Sequence, residues 1–339
     1  MLKMSKNFLT FLGLFITFIV VLSFPYILSA QVSNLQTISG SQMITEPTNP
    51  KFGDTITASL KNVYKNLNII KISWYVDDVL KKEGIGITTF SLNLSKNPQA
   101  VTIKAVIDSS NYKDEVQKVI QPADVDIIFE PQSYTPYFYK GSPLFITQGT
   151  MKVLAIPTIF IDGQKISDNN LTFIWMRNGV VDGNASGRGR NIFIFSGNGI
   201  SDDTDIDVTV QDDSKKVTAE KVASIFPANP KILMYEDSPL YGILLNRALT
   251  GTVDIGSKEE IDIVAFPYYF DVNTPDSSDL SMSWSINGKN YDTSGKKNTI
   301  VLKQVSSSGS GSVNVSINIA NNTRIFQSQS SGFILKYEK

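Results

Sequence analysis

SMSWSINGK, residues 281–289, places Met282, Trp284 and Ile286 on one side of an extended chain and Ser281, Ser283 and Ser285 on the other. A period of two is the strand signature, because successive side chains of an extended backbone point to opposite faces. The following pair, Asn287-Gly288, tolerates positive φ at both positions and suits a two-residue hairpin turn. The stretch therefore reads as a half-buried strand entering a hairpin, with a tryptophan on its apolar side.

The pattern occurs twice more, as IKISWYVDD (70–78) and LTFIWMRNG (171–179). Aligned on Trp74, Trp175 and Trp284, the residues two and four places earlier are all apolar: Ile70 and Ile72, Leu171 and Phe173, Leu280 and Met282. The turn pairs Asp77-Asp78, Asn178-Gly179 and Asn287-Gly288 occupy the same offset. The tryptophans are 101 and 109 residues apart, the size of one small domain. Further alternating segments repeat at matching places: VTIKAVI (101–107), DIDVTV (205–210) and SVNVSINI (312–319), with NIFIF (191–195) and TIVLK (299–303) before the last two. No amphipathic helix is legible after residue 30. Short strands at regular spacing predict an all-β chain of three tandem β-sandwiches, 46–122, 123–227 and 228–339, arranged as an elongated rod.

Composition narrows the chemistry. The 339 residues include no histidine and no cysteine, which removes disulfides, Cys/His metal sites, a cysteine nucleophile and any Ser-His-Asp triad. A formal net charge of −1 gives no broad attraction to nucleic acid, and none is expected as a partner. Stability must come from packing and strand pairing alone.

The N-terminus has Lys3 and Lys6 ahead of an apolar run from Phe8 to Leu28, ending at Leu28-Ser29-Ala30. Residues 1–30 read either as a cleaved secretory signal or as a retained membrane anchor helix. Pro25 and Ala30 favour cleavage, while a run of about twenty apolar residues is long enough to span a bilayer. In both cases the lysines predict that the remainder lies outside the cytoplasm, exported to the cell surface or medium, with membrane contact only through residues 8–28 if the segment stays. Cleavage removes two lysines and no acid, taking the charge from −1 to −3. Residues 31–45 are a polar, flexible lead.

The repeated strand, its turn and the late V-x-V strand resemble the immunoglobulin-like and PKD-like surface repeats of bacteria, over about 290 residues from Glu46 onward. The segments SYTPYFYKG and YEDSPLYG resemble a pattern in multi-domain exported proteins of unknown function. The resemblance implies the sandwich fold and adhesive, spacing or assembly roles, and rarely catalysis. This chain departs from it in lacking the antibody-type disulfide, and at Arg177 and Asp78.

Each candidate site has a plainer alternative. The three tryptophans share a face with apolar neighbours, so they are expected to fill the space between sheets and not to stack on sugars. The acidic loops holding Asp202, Asp203 and Asp205, and Asp271 and Asp276, are weak calcium candidates that otherwise form a solvated face. No EF-hand pattern fits, and no metal or cofactor is expected. Tyr137, Phe138 and Tyr139 beside Tyr134, and Tyr268 and Tyr269 beside Phe270, form two aromatic clusters. These either seal a junction between neighbouring domains, the favoured reading, or form a binding surface. Arg188 and Arg190 in GRGRN lack the context of a phosphate loop and read as a turn. The adjacent carboxylates Asp77-Asp78, Glu236-Asp237 and Glu259-Glu260 point to opposite faces on a strand and so do not flank one bond.

The expected function is a non-catalytic surface spacer or adhesive rod. The alternatives are an extracellular module binding a polysaccharide or a surface protein, or a membrane-anchored accessory of a pilus or secretion system. Exposure of the aromatic clusters discriminates the first two.

Overall fold

The computed structural model describes residues 40–197, 203–293, 295–304 and 309–338. The leader, most of the lead and Asp202 lie outside the described residues. Among those described, no helix is long and apolar enough to cross a membrane. The described chain is built of strands, with 3-10 turns at Leu67–Ile69 and Asp168–Asn170.

Contacts group the chain into two compact units. One comprises residues up to Thr45, Thr57–Ser91 and Thr102–Lys118. The other comprises Glu46–Ile56, Leu92–Val101 and everything from Val119. The sheets follow the threefold repeat and form three tandem immunoglobulin-like β-sandwiches. The first pairs Gln42–Glu46, Thr55–Lys61 and Thr89–Asn93 in one sheet; the other runs Val79–Ile85, Lys71–Val76, Val101–Ser109, Tyr112–Ile120. In the second, Ile192–Ser196, Thr150–Thr158 and Asp124–Pro131 face a sheet ordered Val180–Val181, Leu171–Arg177, Thr204–Asp212, Thr218–Ile225. In the third, Gly242–Ile243, Lys231–Ser238, Glu260–Tyr268 and Thr299–Lys303 face a sheet ordered Gly251–Asp254, Ser328–Tyr337, Gly311–Asn321, Leu280–Ile286, Lys289–Tyr291.

The tryptophan of each repeat is buried at the centre of its sandwich. Trp74 stacks on Phe90, with ring centroids 5.5 Å apart. Trp175 joins Phe173, Phe193, Ile206 and Val208, and Trp284 joins Ile263, Ile300, Val315 and Ile317. A buried indole N–H needs an acceptor. Each finds one on the chain entering or crossing the opposite sheet: Trp74 Nε1 donates to the Ile87 carbonyl (2.8 Å), Trp175 Nε1 to that of Arg190 (2.9 Å) and Trp284 Nε1 to that of Lys297 (3.0 Å). The ring therefore fills the core and also ties one sheet to the other.

The hairpin after each tryptophan repeats in equal detail. Both central residues have positive φ: 48° and 62° at Asp77 and Asp78, 50° and 75° at Asn178 and Gly179, 48° and 79° at Asn287 and Gly288. This is the turn whose twist matches flanking strands. Asp77, Asn178 and Asn287 also clamp the neighbouring strand. Each donates its backbone N–H to the carbonyl of Thr102, Asp205 or Asn314 and accepts that residue's N–H at its side-chain Oδ1, all at 2.8–3.0 Å. Asp78 departs from the glycine of the other repeats, yet it holds the same backbone conformation. Arg177 departs from the apolar position by laying its guanidinium 4.8 Å from the Phe195 ring centroid.

Candidate functional site

Residues 132–149 connect two adjacent strands of the second sandwich, yet form no strand of their own. Connections this long are uncommon in compact domains and usually have a task. Here the segment is an arm laid on the third sandwich. Phe138 stands edge-on to Tyr235 and Phe266, and Tyr139 edge-on to Tyr268 and Tyr269. Ile146 is buried with Tyr235, Val264, Phe266, Tyr268 and Tyr269. Tyr134 packs against the third sandwich's own core.

The strand that receives the arm explains its own sequence. In Glu260–Tyr268, Ile261, Ile263 and Ala265 point into the third core, while Val264, Phe266 and Tyr268 point out and are buried by the arm. A strand covered on both faces carries a near-continuous apolar run instead of alternation. IVAFPYYF (263–270) is such a run.

Backbone and side-chain hydrogen bonds fix the seam. Tyr134 N–H donates to the Phe270 carbonyl (2.8 Å), and Tyr269 N–H to the Tyr134 carbonyl (2.7 Å). Tyr269 Oη donates to Tyr139 Oη at 2.7 Å. Burial, with that bond second, pushes the Tyr269 hydroxyl up to about 12, so it stays a donor at neutral pH. Tyr268 is raised as well, first by burial and then by its bond to Tyr235. Gln327, fully buried, donates from Nε2 to the Thr147 carbonyl (3.0 Å) and accepts the Asp271 and Asn321 N–H groups at Oε1. Gln148 Oε1 accepts the Phe326 N–H (3.0 Å). Asp271 takes the Arg324 Nε at 3.0 Å and the Thr150 hydroxyl at 3.2 Å. Gln148 and Tyr269 both sit at positive φ, 59° and 64°. Side chains seldom adopt that region, and here packing on both sides holds them there.

The two aromatic clusters thus meet each other. Tyr268, Tyr269 and Phe270 are buried, Phe138 is half-buried, Tyr139 lies at the edge, and Tyr137 projects with 84% of its surface exposed. Beside the seam a cavity of about 360 Å³ is lined by Tyr139, Lys140, Lys231, Leu245 and Tyr268 among others. The periodicity of the sequence does not single out Gln148, Arg324 or Gln327, because isolated polar residues in turns carry no pattern. Only the interrupted alternation at 263–270 signals a second buried face.

The acidic candidates are not gathered. Asp205 accepts the Ser224 hydroxyl (2.6 Å), Asp271 belongs to the seam, and Asp276 is exposed. Among the described residues no cluster of three or more acids stands close enough to hold a metal ion. Asp205 serves its own strand pair, Asp271 bonds across the seam, and Asp203 and Asp276 face solvent. GRGRN opens with the short strand Gly187–Arg188, paired with Leu171–Arg177, instead of being a turn throughout; Arg188 bonds Asp213 and Asn170, and Arg190 bonds the Asn184 carbonyl.

No family description and no curated protein matches this chain. Among solved structures, the fibronectin(III)-like modules of Clostridium thermocellum CbhA are 16% identical, covering 55% of this chain and 93% of theirs, with a TM-score of 0.29. The central fibronectin-III array of RIM-binding protein is 13% identical, covering 86% and 95%, with a TM-score of 0.28. A C-terminal fragment of intimin, solved with the intimin-binding domain of its translocated receptor, is 12% identical, covering 58% and 66%, with a TM-score of 0.28. These likenesses concern fold alone, and the fold stands on the sheets described above.

Proposed function

We propose that this chain is an exported, non-catalytic spacer whose second and third sandwiches form one fixed piece. The observation that carries the reading is the seam: an aromatic layer that is free to be sticky is instead used up between two neighbouring sandwiches. A flexible tether needs no such layer, and a recognition patch would leave it open. The basic, apolar N-terminal segment supports export. The test is surface shaving of intact cells together with N-terminal sequencing of the released chain. Recovery from the surface or medium, with a start at Gln31 or an uncleaved anchor, supports the reading; confinement to the cytosol overturns it.

A second reading, a binding module for a polysaccharide or a surface protein, is favoured by one observation. Tyr137 projects beside the cavity at the seam. Loss of cell or glycan binding on Tyr137→Ala, with unchanged melting, would establish it.

A further inference from the structure

The cavity beside the seam combines an aromatic wall with positive charge. Tyr139 of the arm and Tyr235, Tyr268 and Tyr269 of the third sandwich line it. Lys140 of the arm and Lys231 of the third sandwich stand among them, Lys231 as the cross-strand neighbour of Tyr268. No carboxylate lines it. Its volume of about 360 Å³ falls in the range of small-molecule pockets, about 300–1,000 Å³.

The charge is uncompensated. Elsewhere in the same two sandwiches, Lys152 pairs with Glu130 (2.8 Å) and Lys258 with Glu236 (2.6 Å). Among the described residues, neither Lys140 nor Lys231 has an acid or a hydrogen-bond partner. Two ammonium groups at one cavity without a counter-charge favour an anionic ligand.

The wall is set in advance. Tyr139 N–H donates to the Pro136 carbonyl (2.9 Å), and the Tyr139 ring lies so close over Gly141 that no side chain would fit there. Tyr139 Oη accepts from Tyr269 Oη at 2.7 Å, which leaves its own O–H to donate. A fixed wall loses little freedom when a ligand arrives.

We propose that this cavity binds an acidic saccharide, its pyranose rings stacked on Tyr139 and its carboxylates held by Lys140 and Lys231. The proposal rests on the binding-module reading and names the ligand class. A pyranose offers a flat C–H face, whose partial positive charge suits the negative face of a tyrosine ring, and hydroxyls that pair with tyrosine O–H groups. Its carboxylates make charge-assisted bonds to the lysines. An acidic peptide carries the charge without the rigid apolar face. The arm supplies Tyr139 and Lys140 and the third sandwich supplies Lys231 and Tyr268, so the ligand bridges both and is expected to stabilise their junction.

Calorimetric titration of the full chain with three probes tests this: tetragalacturonate, its methyl ester, which keeps the rings and removes the charge, and tetraglutamate, which keeps the charge and has no rings. Tetragalacturonate is expected to bind about tenfold or more tightly than either, and to raise the melting temperature. Lys140→Gln and Lys231→Gln, both at exposed positions, should each weaken it by about tenfold with unchanged melting of the free chain. No binding of tetragalacturonate, equal binding of the ester or of tetraglutamate, or full affinity in both lysine variants overturns the proposal. Equal binding of the ester leaves the binding-module reading standing, since that reading asks only for a saccharide lost on Tyr137→Ala.

Discussion

The Phe138 ring meets Phe266 edge to face, 4.9 Å between centroids and 89° between planes. Phe138 comes from an arm of the second sandwich and Phe266 from the outer face of the third, so the pair measures the coupling of the two. Edge-to-face pairs add about 1 kcal/mol beyond the area they bury. Phe138→Ala should therefore lower the stability of the pair by about 2–4 kcal/mol. In urea, the third sandwich's Trp284 fluorescence and the second's Trp175 fluorescence, read in single-tryptophan variants, should separate into two transitions.

Asn287 tests the turn clamp. Asn287→Gly keeps the positive φ but loses the side-chain acceptor for Asn314 N–H, and should cost about 1 kcal/mol. Asn287→Ala loses the acceptor and strains the backbone, and should cost about 2 kcal/mol or more. Equal losses would show that the clamp is idle. Urea midpoints decide.

Trp284→Phe keeps an aromatic core but orphans the Lys297 carbonyl and leaves a void. The expected loss is about 2–3 kcal/mol, and Trp74→Phe and Trp175→Phe should behave alike because each indole has the same kind of partner.

Asp207 supplies a pH test. Burial, and then repulsion from Glu220, raises its carboxyl above the ordinary value, and its Oδ1 is buried without a hydrogen-bond partner. The folded chain therefore holds this proton where the unfolded chain has released it. The stabilising effect is complete below the unfolded value of about 4 and is lost as pH rises through the folded value. Asp207→Asn should raise the melting temperature at pH 7, and the gain should vanish as pH falls below about 4. A gain that persists in acid would contradict the assignment.

Fold and site were legible to different degrees, for physical reasons. The Trp strands announced themselves because a half-buried strand must alternate, and the turn pairs because positive φ restricts residue type. The aromatic groups at 134–139 and 268–270 were visible as candidates, but whether they met each other was not, since that depends on a fold-back of the arm over 132–149. The place of Asp271 in the seam carries no sequence signal, because its partners, Arg324 and Thr150, come from distant sequence.

The most direct test of the fixed seam uses the absence of cysteine, which lets spin labels be placed at will. Val222→Cys in the second sandwich and Ile334→Cys in the third are both exposed strand positions. Pulsed electron–electron distance measurement on the doubly labelled chain should give one narrow distribution, broadened by Phe138→Ala. A broad distribution in the unaltered background would contradict the account.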